Sequence, residues 1–127
     1  DRVGLDQGSY PFQSMSLRTL QSEFAALVPR LIDKAISLGY EVTLGDAYRD
    51  PRAFGTIGLF MAYGHPKSAH KKRLAIDLNL FKNGVFLEGT DAHKELGEWW
   101  KQQHPLARWG GDFRDGNHYS FEHEGMK

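Results

Sequence analysis

An α+β domain, with two main helices packed on an antiparallel sheet, is the fold class the sequence predicts. Two periodicities and one turn carry that expectation. From Leu17 to Leu38 apolar residues recur every three or four positions, at Leu17, Leu20, Phe24, Leu27, Leu31, Ala35 and Leu38, which is one face of a helix. From Leu74 to Leu80 they alternate, with Leu74, Ile76, Leu78 and Leu80 separated by Ala75, Asp77 and Asn79, the signature of a strand with one face buried. The Asn83-Gly84 pair that follows, between apolar runs, is the signal of a hairpin.

In chain order, residues 1–15 are rich in Gly, Ser, Gln and Pro and read as an extended N-terminal arm. Ser16 is a helix N-cap, Pro29 is expected to kink or divide the helix that follows, and Gly39 is its C-cap. Residues 40–44, YEVTL, read as a strand ending in the turn GDAYRDPR, which presents Arg49 at a strand's end. Residues 53–67 contain Gly55, Gly58, Gly64 and Pro66 and form an irregular excursion suited to walling a substrate cleft. Residues 91–103 read as the second helix, with Leu96, Trp99 and Trp100 inward, and His118 to Phe121 as a short aromatic strand.

Composition narrows the class. The 127 residues form one domain, residues 1–127, large enough to bury roughly two-thirds of its unfolded surface. Lys+Arg and Asp+Glu balance at 16 each, so no global field draws nucleic acid or an anionic membrane, and no apolar run approaches a membrane span. Cysteine is absent, which excludes disulfides, thiolate catalysis and Cys-type zinc fingers, and with six histidines leaves His/carboxylate ligation as the natural metal chemistry.

Two stretches carry that chemistry. In Ser68–Phe81, SAHKKRLAIDLNLF, His70 lies in a polar basic loop and Asp77 projects from the less apolar face of the strand, so the two converge as half of a zinc site. In residues 109–123, WGGDFRDGNHYSFEH, Asp115 precedes His118 by three. Two histidines and one aspartate leave the fourth zinc position open for water, as in a catalytic site, and Asp115 remains as a candidate general base. Singly, His70 reads as a solvated loop residue, Asp115 as a turn-former before Gly116 and Arg49 as a partner for Asp46 or Asp50; the joint spacing favours the functional reading.

This pair of motifs resembles the zinc D-alanyl-D-alanine carboxypeptidase and L-alanyl-D-glutamate endopeptidase family. The family pattern is Ser-x-His, seven residues to Asp, then Trp-Gly-Gly and Asp/Glu-x-x-His. Here it appears as Ser68-Ala69-His70, Asp77, Trp109-Gly110-Gly111 and Asp115-Gly116-Asn117-His118, with Tyr48-Arg49 matching the family's Tyr-Arg. The likeness covers about residues 20–122 and is greatest to small single-domain bacteriophage endolysins. Arg73 stands where a glycine is usual, and the link from the double glycine to Asp115 is short.

The resemblance implies a hedgehog/DD-peptidase-like fold and Zn2+ held by His70, Asp77 and His118, with Asp115 as base. It implies that Arg49 binds the substrate carbonyl or the developing oxyanion, and that Ser68 binds substrate or orients the site. The implied activity is hydrolysis of the L-Ala–D-Glu bond of peptidoglycan stem peptides by metal-activated water. A D-Ala–D-Ala carboxypeptidase or dipeptidase is the alternative, and a zinc-containing binding module of hedgehog type a further one. A monomer made in the bacterial host cytoplasm and acting on peptidoglycan in the periplasm and cell wall is expected, with no nucleic-acid partner and no membrane insertion.

The remaining polar residues have plainer roles. The remaining histidines read as structural by default, His93 near a helix start and His104 facing carbonyls at a helix end, while His65 and His123 lie close enough to the motifs in sequence to be the rival ligands or substrate contacts if any are. Lys67, Lys71, Lys72 and Arg73 form the densest basic cluster, which beside a zinc site favours anionic stem peptides. Trp99, Trp100 and Trp109 read as core, and Gly110 and Gly111 as room for close approach of substrate.

Overall fold

The computed structural model describes residues 16–48 and 69–127, and its first element is helix α1, Leu17–Ser37. The N-terminal arm, Arg49, the excursion at 53–67, His65, Lys67 and Ser68 lie outside the described residues. Ser16 caps α1 as expected, its hydroxyl accepting from the Thr19 N–H at 3.1 Å. Leu20, Phe24, Leu31 and Ala35 form the buried stripe. Pro29 does not divide the helix, which continues to Ser37. Pro29 is on the exposed side, so the carbonyl one turn earlier that it cannot serve is left to water. At the C-terminus the Gly39 N–H donates to the Ile36 carbonyl at 2.9 Å and the Tyr40 N–H to the Ala35 carbonyl at 3.2 Å. This Schellman arrangement needs a left-handed residue, and Gly39 supplies it with φ +99°.

Strand β1, Glu41–Leu44, runs antiparallel to the long strand β2, Ala75–Lys82. A two-residue turn, Asn83-Gly84, with φ 54° and 79°, then returns the chain as β3, Val85–Phe86, as the Asn-Gly signal requires. The second helix is shorter than the sequence suggests. Thr90–His93 form a 3-10 turn, and α2 proper is Lys94–Lys101, because His93 turns its ring inward to Tyr119 instead of capping the helix. Leu96 and Trp100 are buried as expected, while Trp99 is half-buried at the edge of the core.

The last two strands are β4, Ala107–Trp109, and β5, His118–Phe121. β4 is three residues long with Arg108 at its centre, too short and too polar to leave an alternation pattern. The sheet is antiparallel with order β1-β2-β5-β4, and β3 joins the end of β2. Its apolar face, with Leu74, Leu78, Leu80, Tyr119 and Phe121, packs against α1 and α2 through Phe24, Leu31, Leu96 and Trp100. Phe24 meets Phe121 edge-on at 5.3 Å and Trp100 at 5.9 Å, so the aromatic residues of three elements lock the helices to the sheet.

Trp109 fixes the last part of the frame. Its indole donates to the Gly116 carbonyl at 2.7 Å, and its ring lies so close to Gly97 and Gly111 that a Cβ at either would collide with it. Gly110 is tighter still, since a Cβ there would strike the Asp115 carbonyl oxygen. The double glycine therefore serves close approach of the chain to itself. His104 is structural as expected, though its ring meets side chains and an N–H instead of helix-end carbonyls. Its Nε2 contacts Glu23 of α1 at 2.8 Å, its Nδ1 accepts from the Leu106 N–H, and its ring stacks on Phe121, so it ties α1 to the sheet.

Candidate metal centre

Register alone brings two of the expected ligands together. Asp77 of β2 lies directly opposite His118 of β5, so both side chains leave the same face of the sheet. His70 arrives from a 3-10 turn, Ala69–Lys72, that closes at Arg73 with φ 58° and hands the chain to β2 through Leu74 N–H to Ala69 carbonyl at 3.0 Å. Arg73 thus keeps the left-handed backbone that a glycine would take there, and its guanidinium lies 4.1 Å from the Tyr48 ring centre. His70 itself is not a solvated loop residue. It is 1% exposed.

The three donor atoms form a near-equilateral triangle. His70 Nε2 is 3.1 Å from Asp77 Oδ1 and 3.1 Å from His118 Nδ1, and His118 Nδ1 is 3.3 Å from Asp77 Oδ1. Ligands about 2.0–2.2 Å from a tetrahedral zinc stand about 3.3–3.6 Å from one another, so the triangle fits after shifts of a few tenths of an ångström.

Protons argue in the same direction. The other nitrogen of each ring faces a main-chain oxygen, His70 Nδ1 that of Ala47 at 2.7 Å and His118 Nε2 that of Lys127 at 3.1 Å. Such oxygens only accept, so those nitrogens carry the hydrogens and the lone pairs of Nε2 and Nδ1 turn toward each other and toward Asp77. Burial alone would raise the Asp77 carboxyl, but where a proton stands in for a metal on the facing nitrogens, the hydrogen bonds from His118 and His70 and their charge outweigh it and hold it down at about 2. Three electron-pair donors facing one point, two of them on buried histidines, suit a cation between them, and His70, Asp77 and His118 could hold a metal ion.

Asp115 stands beside this group. Its Oδ2 is 3.9 Å from His118 Nδ1, beyond the spacing within the triangle, and the residue is half-exposed. Its position is fixed by its own N–H to the Gly110 carbonyl at 2.7 Å and by the His118 N–H to its carbonyl at 3.0 Å. A cleft of about 350 Å³ begins at Asp115. His123 is not part of the cluster; it pairs with Glu124 at 3.7 Å and bridges to Met126. Lys71 and Lys72 are half-buried, and only Arg73 of the described basic residues there is exposed.

The sequence reading missed what anchors the ligands, since a main-chain oxygen at Ala47 or Lys127 has no residue-type signal. It also gave His93 no partner. His93 is 3% exposed and its Nδ1 lies 2.6 Å from the Tyr119 hydroxyl. Burial lowers it from 6.5 to about 4, with the charge of Asp77 opposing. The unfolded chain therefore takes up a proton near pH 6.5 that the folded chain refuses until about pH 4. Stability accordingly falls as pH drops through that window, by on the order of 3 kcal/mol. Urea unfolding of metal-free protein between pH 7 and 4 is expected to be steeper in pH for the wild type than for His93→Gln. Equal slopes would mean that the imidazole protonates in place.

Among the described residues no helix is long and apolar enough to cross a membrane. The chain matches no protein-family model and no curated protein sequence.

Proposed function

We propose that the chain is a zinc-dependent peptidoglycan peptidase of hedgehog/DD-peptidase-like fold that hydrolyses the L-Ala–D-Glu bond of bacterial stem peptides. The observation that supports this most is the triangle of His70, Asp77 and His118 with an exposed carboxylate, Asp115, beside it, 3.9 Å from His118 Nδ1. Zinc bound there supplies a Lewis acid that brings the pKa of water to about 7 and polarises a carbonyl. The residues do the rest. Asp115 takes the proton of the water whose oxygen attacks the amide carbon, and returns it to the nitrogen as the C–N bond breaks. Arg49, five residues after β1 in sequence, would supply a planar pair of donors to the carbonyl oxygen as it gains charge, and Ser68, two residues before His70 in sequence, would bind or order substrate.

The test is clearance of permeabilised bacterial cell walls by pure protein, with and without a chelator, followed by mass spectrometry of the released muropeptides. The expected result is chelator-sensitive clearance with new L-Ala and D-Glu ends. Loss of terminal D-Ala alone would move the activity to a carboxypeptidase. Intact walls under zinc-replete conditions would overturn the peptidase reading and leave a zinc-binding module.

A further inference from the structure

The cleft beside the metal group follows from unequal strand lengths. On one edge of β2, β5 covers Ala75–Asp77 and β3 covers Phe81 and Lys82, which leaves Leu78 and Asn79 as a floor between them. Residues 86–90 and 114–117 line the space and meet where Gly116 lies against Thr90. Asp115 belongs to this lining and its Oδ2 lies 3.9 Å from His118 Nδ1, so the cleft adjoins the metal group through that residue.

Arg114 is the cation of this lining. It ends the 3-10 turn Gly110–Phe113 in the left-handed region, with φ 67° and its N–H on the Gly110 carbonyl, a backbone state that arginine adopts reluctantly. Its side chain is exposed, and no described carboxylate forms an ion pair with it, whereas Lys101 holds Asp112 at 3.0 Å and Arg108 holds Glu122 at 2.8 Å. Asn117 and Thr90 add a carboxamide and a hydroxyl without charge, and Glu88, on the other lining segment, repels any anion placed away from Arg114.

The geometry points to Arg114 as the residue that recognises a free carboxylate on the peptide substrate, seated in the cleft between Asn117 and Thr90. The inference rests on the peptidase reading above and names the substrate group that reading leaves open. A guanidinium suits the task because its parallel donors match both carboxylate oxygens, and a hydrogen bond to a charged group changes affinity by about tenfold to a hundredfold.

The probes are N-acetyl-L-alanyl-D-glutamate and its α-carboxamide. Dissociation constants are measured by NMR titration of metal-free protein, where nothing is cleaved, and kcat and KM on zinc-loaded protein. The wild type is expected to prefer the acid by about tenfold or more, in Kd and in KM. Arg114→Gln should erase that preference while leaving kcat and the affinity for the carboxamide unchanged. Arg114→Gly, which the positive φ accommodates better than arginine, guards against a folding defect and should behave the same way. Equal affinity for both probes, or a preference that survives both substitutions, would overturn the assignment. Arg114-dependent binding without cleavage would keep the subsite and remove the peptidase, and cleavage indifferent to Arg114 would do the reverse.

Discussion

Alanine in place of His70, Asp77 or His118 is expected to abolish stoichiometric zinc binding and with it all hydrolysis. A four-ligand zinc site is worth about 10–16 kcal/mol, so an even share per ligand corresponds to roughly 10²–10³-fold or more in affinity for each one removed. The loss has a second readout that needs no substrate. Zinc should raise the melting temperature of the wild type, because it binds the folded chain, and should leave the three variants nearly unmoved. Isothermal titration and metal analysis after dialysis check the affinity. Any one of these variants retaining zinc at wild-type strength would mean that the triangle in the structure is a hydrogen-bonded cluster and not a metal site.

Asp115→Ala separates the base from the ligands. Its carboxylate lies outside the triangle, and it is held in place by main-chain hydrogen bonds that alanine keeps. Zinc content and folding are therefore expected to stay intact while kcat falls by about 10²–10⁴, the usual worth of a positioned general base. Asp115→Asn should fall as far, since a carboxamide has the shape but accepts no proton. Loss of zinc from Asp115→Ala would make the residue a fourth ligand and the site a closed, structural one. Activity within about tenfold of wild type would pass the proton to another group.

Much of this site was legible before any coordinates, and the reason is physical. A strand has period two, so Asp77, set between Ile76 and Leu78, had to leave by the less apolar face, and His118 at the head of an aromatic strand could meet it by simple antiparallel pairing. The helix of α1 was equally plain, because cap, stripe and terminal glycine agreed. What stayed hidden depends on contacts that residue type does not encode. β4 is held by its neighbours more than by its own pattern, the glycines at 97, 110 and 111 answer to a tryptophan ring and a carbonyl, and His93 owes its place to Tyr119. Pro29 failed to interrupt α1 because its missing hydrogen bond falls on the wet side, a fact about the fold and not about proline.

The anchoring of the two imidazoles has a consequence for how the chain tolerates change. In the described residues the oxygens that orient His70 and His118 belong to the peptide backbone at Ala47 and Lys127, and every amino acid brings the same oxygen to those positions. Point substitutions there preserve the tautomers, so the sites can drift in sequence without losing the ligands. A one-residue insertion or deletion is a different matter, since it slides the oxygen by about 3.3 Å along an extended chain and turns it to the other side. The orientation of the ligands is thus protected against misspelling and exposed to miscounting, and the spacing from β1 to residue 47 and from β5 to residue 127 is the quantity that drifting copies of this chain have to keep.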